Sequence, residues 1–305
     1  MKTIQAIIKL ARPQQWTKNV FVLTVLIFAG LALNIDALVM TFLTFAAFCL
    51  AASAVYFLND YRDIEEDKKH PTKCRRPLAA GDLPKRFGIW GFFFLVAGAL
   101  AIPALLVNIP TAIIVAVYIL LNAAYSSGLK HVVIIDVVVL ASGFVLRILA
   151  GATALKVLPS PWLILCGVMI SLFLGFTKRR AEVVLLKDRA KEHRRVLAQY
   201  SKPYLDQAIS IVTAATVVGY VLYTVDERTV DLVGSRAMIL TVPFVLYGIF
   251  RYLYLVYQAD TDSGGDPTKT IFTDLPLLVT GGLWGILSML VIFFGKQIHG
   301  FLFVL

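Results

Sequence analysis

Nine blocks of uninterrupted apolar sequence dominate this chain, at approximately residues 19–34, 38–58, 88–107, 110–125, 134–155, 161–177, 207–226, 236–256 and 275–295. A helix needs roughly 20 residues to cross the hydrocarbon core of a bilayer. Inside lipid, only helices and closed barrels satisfy their own backbone hydrogen bonds. The blocks lack the alternation of barrel strands, so they read as helices. The expectation is an all-α, polytopic membrane bundle forming one domain over residues 1–305. Composition agrees, because only 16% of the 305 residues are charged, against about a quarter in soluble domains.

Short junctions at Asn34–Asp36, Asn108–Pro110 and Pro159–Pro161 predict tight helical hairpins. Two junctions, 59–87 and 178–206, are long and polar. Their position after the second and sixth blocks hints at a duplicated four-helix unit followed by a ninth helix. The net charge of +10 would by itself permit nucleic-acid binding. Its distribution argues against that: 23 of the 29 Lys and Arg residues fall on the side of the N-terminus and 4 on the other. Basic loops stay in the cytoplasm, so the N-terminus and both long loops are expected there, with the C-terminus outside. Cys49, Cys74 and Cys166 are scattered and give neither a disulfide framework nor zinc spacing. His70, His131, His193 and His299 share no ligand spacing either. The N-terminus shows no cleavable signal.

Chemistry concentrates where the second block ends. Asn59, Asp63 and Asp67 are spaced i, i+4, i+8, and Asp60 joins them at i+3 and i+7. On one helix these residues share a face. Carboxylates gathered in this way repel one another unless a cation neutralises them, and hard oxygen ligands in this number suit Mg²⁺. The competing reading is a solvated, charged helix end. A basic loop follows at once, with Lys73, Arg75 and Arg76 set among Pro71, Pro77 and Gly81. Metal-bound acids beside Lys and Arg are a usual way to hold a diphosphate, although such a loop also serves as a positive-inside patch.

The pattern Asn-Asp-x-x-Asp-x-x-x-Asp, the loop Arg75-Arg76-Pro77-Leu78-x-x-Gly81 and the entry Arg12-Pro13-x-x-Trp16-x-Lys18-Asn19 together resemble the UbiA superfamily of intramembrane prenyltransferases. The resemblance covers essentially the whole chain. It implies nine transmembrane helices around a central cavity, Mg²⁺ on Asn59, Asp60, Asp63 and Asp67, and a lipid tail entering from the bilayer.

A departure refines it. Enzymes of this superfamily that use prenyl diphosphates mostly carry a second Asp-rich motif between helices 6 and 7. Here the segment reads Lys178-Arg179-Arg180-Ala181-Glu182, with Asp188 and Glu192 further on. Together with His70–Lys73, Tyr125–Lys130, Asp136 and Ser142–Arg147, it is similar to the decaprenyl-phosphate phosphoribosyltransferase branch. That resemblance implies Mg²⁺-dependent transfer of 5-phosphoribose from phosphoribosyl pyrophosphate to a polyprenyl phosphate, in the plasma (inner) membrane, toward a cell-wall precursor. It implies Asp60, Asp63 and Asp67 as catalytic acids. Lys18, Lys73, Arg75, Arg76, Tyr125, Lys130, Arg147, Lys178, Arg179 and Glu182 are implied as substrate ligands.

Read from the residues alone, Tyr125 and Lys130 equally suit interfacial anchoring. Asp136 either faces a cavity or caps a helix. Arg147 is either a ligand or half of a buried ion pair, and Arg251 suits snorkelling. Asp260, Asp262 and Asp266 read as a solvated loop. The rivals are prenyl transfer to an aromatic acceptor, which the sparse second acidic motif disfavours, and a transporter. Transporters place their sites at the midplane, whereas these polar clusters gather at helix ends. Phosphoribosyl pyrophosphate, the lipid phosphate and the membrane are the expected partners, with no nucleic acid and with self-association left open.

Overall fold

The structure, a computed structural model, describes residues 2–69, 73–186, 196–258 and 273–302. Every regular element among them is helical. In order these are α1 (Lys2–Ala11), α2 (Thr24–Phe28), α3 (Ile35–Arg62), α4 (Ile64–Lys69), α5 (Arg86–Leu106), α6 (Ile109–Ser127), α7 (Ile135–Ala154), α8 (Pro161–Leu186), α9 (Lys202–Val225), α10 (Glu227–Val233), α11 (Val242–Gln258) and α12 (Leu275–Leu302). Short 3₁₀ turns lie between some of them. Among the described residues, eight helices are long and apolar enough to cross a membrane. Large apolar side chains such as Trp90, Phe94 and Leu105 stand exposed. In a multi-pass membrane protein that surface faces lipid.

The short junctions behave as their residues dictate. Asn34 caps α3 by accepting from the Ala37 amide at 2.9 Å. Asn108 caps α6 by accepting from Thr111 at 2.8 Å, and its own amide donates to the Thr153 carbonyl. Side-chain caps of this kind satisfy orphan amides at a helix start. Pro161 opens α8, where its missing N–H costs nothing.

The first apolar block corrects the expectation of a continuous helix. Residues 13–22 form a 3₁₀ segment, followed by the five residues of α2. The segment nevertheless runs the length of α3 in the opposite direction. Arg12 contacts Asp60, Trp16 donates to Ser53 at 3.0 Å and Asn19 donates to Cys49 at 3.3 Å. Val22 then packs with Ala47 and Phe48, and Asn34 caps the far end of α3. Since α3 has 28 residues and so measures about 42 Å, residues 12–34 make a ninth, broken crossing.

The chain forms two compact units. The first comprises residues 1–27, 31–128 and 143–159, the second residues 28–30, 129–142 and 160–305. In the first, α3 lies close against α5. A Cβ at Gly91 would come within 2.5 Å of the Phe57 ring and one at Gly88 within 2.9 Å of Tyr61, so only glycine permits this approach. Ala47, Ala51 and Ala54 are fully buried on α3 for the same reason. In the second unit α8 packs against α9, and Phe173, Phe176, Leu205, Ile209 and Tyr252 form its core. Each unit is thus built on a helix, α3 or α8, that carries charged residues at its end.

Candidate active site

Asp63 interrupts the helix that carries the acidic motif, with φ −90° and ψ 6° between α3 and α4. The hydrogen-bond ladder continues across it: Asp63 donates to Asn59 at 2.9 Å and Asp67 to Asp63 at 2.7 Å. Helical register therefore survives the break. Asp60 and Asp67 are both 2% exposed and converge on one guanidinium. Arg76 Nη1 donates to Asp67 Oδ2 at 2.7 Å and to Asp60 Oδ1 at 3.1 Å. Arg12 Nη2 donates to the same Asp60 oxygen at 2.6 Å. The Arg12 guanidinium also lies 4.5 Å above the Tyr56 ring. Arg12 adopts a left-handed backbone, φ 52°, which a non-glycine residue rarely holds without outside support. Here the support is adjacent. Ser53 donates to the Ala11 carbonyl at 2.9 Å while accepting from Trp16.

Two oxygens of the motif have no partner among the described residues. Asn59 Oδ1 and Asp60 Oδ2 are buried and accept no hydrogen bond, although buried polar groups are nearly always satisfied. Asp63 is half-buried, and its carboxylate has no hydrogen bond or ion pair among the described residues. Among those residues no three His, Cys, Asp or Glu side chains are already gathered as a metal cluster. The donors are nevertheless all hard oxygens, two of them orphaned, at a point where carboxylates already meet positive charge. This set fits Mg²⁺.

The basic loop is anchored beneath. Leu78 and Leu83 are buried with Ala6, Leu10 and Ile64. Gly81 takes φ 81°, a conformation that favours glycine. Lys9 donates to the Arg75 carbonyl at 2.7 Å. Lys73 and Arg75 present exposed side chains, while Arg76 turns inward. Lys68 and Lys85 both bond Glu65 at 3.1 Å, and the Lys85 contact, followed by Lys68, holds that exposed carboxyl below its usual range. His70, Pro71 and Thr72 lie outside the described residues. Half-buried Lys18 lies on the 3₁₀ segment, and half-buried Tyr125 near the end of α6, where Arg62 donates to Ser127 at 2.9 Å.

Arg147 is 5% exposed on α7 and has no ion pair among the described residues. Neutral groups surround it. Nε donates to Asn19 Oδ1 at 2.7 Å, Nη1 to the Gly143 carbonyl at 2.7 Å, and Nη2 to the Tyr118 hydroxyl at 3.1 Å. The Tyr118 ring centroid is 4.7 Å away. The buried ion pair considered from sequence is therefore absent there, and Arg147 ties the 3₁₀ segment to α7 and α6.

The second unit gathers its own charged network. Asp136, in the first turn of α7, is fully buried and accepts from Arg179 Nε at 2.6 Å and from the Tyr200 hydroxyl at 2.6 Å. Arg179 also donates to Glu182 at 2.6 Å. Tyr200 accepts from the Ile134 amide at 2.7 Å, which holds Ile134 at φ 69°. Burial, followed by the bond to Asp136, pushes the Tyr200 phenol pKa well above its ordinary value. Arg180 pairs with Asp206 at 2.6 Å and lies 3.9 Å over the Tyr257 ring. Lys178 and Lys130 are half-buried and have no hydrogen bond or ion pair among the described residues. Arg251 does not simply snorkel, since it pairs with Asp274 at 2.8 Å. Asp188, Glu192 and the acids of residues 260–266 fall outside the described residues.

Spacing singled out the acids and the bases but missed Arg12, Tyr200 and Asp206 as their partners. These lie 48, 64 and 26 residues from the groups they bind, where no local pattern reaches.

A model described as the UbiA prenyltransferase family matches residues 20–273. A decaprenyl-phosphate phosphoribosyltransferase of Corynebacterium glutamicum is 36% identical over 282 residues, covering 91% of this chain and 83% of that protein. One from Mycolicibacterium smegmatis is 35% identical over 292 residues, covering 92% and 90%. Among solved structures, a digeranylgeranylglyceryl phosphate synthase superposes with TM-score 0.69 at 16% identity, covering 96% of this chain and 99% of that one. A UbiA homolog from Archaeoglobus fulgidus bound to DMAPP and Mg²⁺ also gives TM-score 0.69 at 16% identity, covering 94% and 99%. At that identity the likeness shows the fold.

Proposed function

The chain belongs to the UbiA prenyltransferase family, and from that premise we propose that this membrane transferase moves 5-phosphoribose from phosphoribosyl pyrophosphate to a polyprenyl phosphate. One observation carries the choice among family chemistries: near its C-terminal end α8 bears Lys178-Arg179-Arg180 rather than a second acidic face, and Lys178 has no ion pair among the described residues. One metal face serves one diphosphate, and the reaction must hold two further phosphates, on the ribose and on the lipid. The names of the two curated relatives point the same way.

Asn59, Asp60, Asp63 and Asp67 would hold Mg²⁺, which when bound supplies charge neutralisation for the diphosphate. Arg12 keeps Asp60 oriented. Lys73, Arg75 and Arg76 complete the diphosphate cradle of the first unit, where Lys18 and Tyr125 are further candidate ligands, and Lys130 and Lys178 are the second unit's candidates for phosphate oxygens. Arg179 supports Asp136 and Glu182 from within, Glu182 being left to face ribose hydroxyls. The C1–oxygen bond to pyrophosphate breaks as a lipid phosphate oxygen bonds C1 from the opposite side, inverting that carbon. Positive charge develops on the sugar, and the neighbouring carboxylates tolerate it. The acceptor is already ionised at neutral pH, so alignment matters more than a general base. Arg147 positions Asn19 and with it the Lys18 segment. The loops 59–87 and 178–206 face the cytoplasm in this reading.

The test is incubation of purified protein with labelled phosphoribosyl pyrophosphate, a polyprenyl phosphate and Mg²⁺. Labelled lipid should form, and Asp63→Ala should lower its rate by about 10²-fold or more, as loss of an electrostatic stabiliser does. No consumption of phosphoribosyl pyrophosphate would overturn the reading. Prenylated aromatic product from a prenyl diphosphate would favour the rival chemistry, and flux without turnover would favour a transporter.

A further inference from the structure

The geometry points to Arg76 as a built-in counter-ion that competes with the divalent cation for Asp60 and Asp67, and that is released to the diphosphate once the cation has taken them. The inference rests on the proposed metal and diphosphate reading and adds to it an order of events at one side chain.

Asp60 and Asp67 sit on different helices and are 2% exposed. Two buried carboxylates this close to a shared point repel unless positive charge stands between them. A single nitrogen, Arg76 Nη1, does so at 3.1 and 2.7 Å. Arg12 cannot substitute, because it reaches Asp60 alone and its guanidinium rests on Tyr56. Arg76 therefore keeps the motif assembled in advance. It also occupies the space between the two carboxylates, so a divalent cation held by both would have to displace it.

The unused oxygens mark the other side of the exchange. Asp60 Oδ2 and Asn59 Oδ1 are buried without partners, while Asp60 Oδ1 carries both guanidinium contacts. A cation drawn to the unused oxygens gains Asp67 only when Arg76 lets go. The side chain of Arg76 is 25% exposed, so it has a way out toward solvent. Once released, its planar fork is free for phosphate oxygens, which it suits bidentately. Metal and diphosphate binding are thereby coupled through one residue.

Mn²⁺ binding to the purified full-length protein, read by electron paramagnetic resonance with and without inorganic pyrophosphate, tests this directly. Without pyrophosphate, Arg76→Gln should bind Mn²⁺ about tenfold more tightly than wild type, the ratio expected on removing one competing charge-assisted contact. Pyrophosphate should then tighten Mn²⁺ binding less in Arg76→Gln than in wild type. Arg76→Lys keeps a cation without the fork and should fall between the two. Its sign decides the matter if Arg76→Gln proves unfolded on thermal melting. Unchanged or weaker Mn²⁺ binding in the folded variant overturns the inference alone. Wild-type binding no different from an Asp60→Asn, Asp67→Asn double variant overturns the metal reading and the inference with it.

Discussion

Lys178, Arg179 and Arg180 are consecutive bases with separate duties. Arg179 is 1% exposed and bound to Asp136 and Glu182, and Arg180 is bound to Asp206. Lys178 has no such partner among the described residues and is the one of the three open to an incoming phosphate. Lys178→Met is expected to raise the KM for the phosphoribosyl donor about tenfold, the worth of one charge-assisted phosphate contact, while leaving the melting temperature unchanged. Arg179→Met should do the reverse. It leaves Asp136 buried without its cation, which costs about 3–5 kcal/mol and lowers Tm. Paired steady-state kinetics and melting curves separate the two, and a stable Arg179→Met with only a KM defect would reverse these assignments. Tyr200→Phe tests the same network from another side. It removes the donor to Asp136 and the acceptor for Ile134, so about 1–3 kcal/mol of stability should disappear, visible as a lower Tm. From sequence both Lys178 and Arg179 read as cations waiting for phosphates. Residue type and spacing revealed that charge was present. The sequence separation of 43 between Asp136 and Arg179 hid the fact that most of it is already neutralised internally.

At the scale of elements, legibility followed the length of the hydrogen-bonded unit. Eight apolar blocks became helical spans, one of them entering α11 through the 3₁₀ turn Ala237–Thr241, because a long apolar segment in lipid has few other ways to pair its backbone. The short junctions predict tight turns, and the structure adds that Asn34 and Asn108 cap the helices that follow. Residues 19–34 have the same composition but became a 3₁₀ segment and a five-residue helix. The causes are contacts remote in sequence. Arg147 holds Asn19 from α7, and Gly151 on α7 lets the Val22 backbone come so close that a Cβ there would lie 2.3 Å from the Val22 carbonyl oxygen. A backbone atom cannot swing aside as a side chain can. Gly151→Ala is accordingly expected to push the 3₁₀ segment off α7 and to cost about 1–3 kcal/mol, the usual range for overpacking. Thermal melting checks it. An unaltered Tm would mean that the segment accommodates the methyl group and is not held by this approach. The acidic motif shows the same division: spacing placed Asn59, Asp60, Asp63 and Asp67 on one face, while the break at Asp63 and the bridging by Arg76 required the fold.

For the whole molecule, the broken first crossing decides the topology. Eight continuous spans alone would leave both termini on one side of the membrane. Residues 12–34 add a ninth, because Arg12 meets Asp60 at one end of α3 and Asn34 caps the other. Nine crossings would put the termini on opposite sides. On the sequence count, 23 bases would then fall on the side of the N-terminus and 4 on the other. By the rule that basic loops stay in the cytoplasm, that asymmetry would bring ionised donor and acidic motif to the side where soluble sugar phosphates are found. Three single cysteines in a background with Cys49, Cys74 and Cys166 replaced by serine test the arrangement. Leu33→Cys and Leu158→Cys lie at exposed positions on the expected outer side, and Asp82→Cys lies at an exposed position in the basic loop. A membrane-impermeant maleimide added to intact cells should label the first two and leave Asp82→Cys unmodified until the membrane is opened. Labelling of Asp82→Cys from outside would invert the orientation. Labelling of an N-terminal tag together with Leu33→Cys, and not Asp82→Cys, would remove the ninth crossing, and with it the argument that Arg12 and Asp60 share the cytoplasmic face.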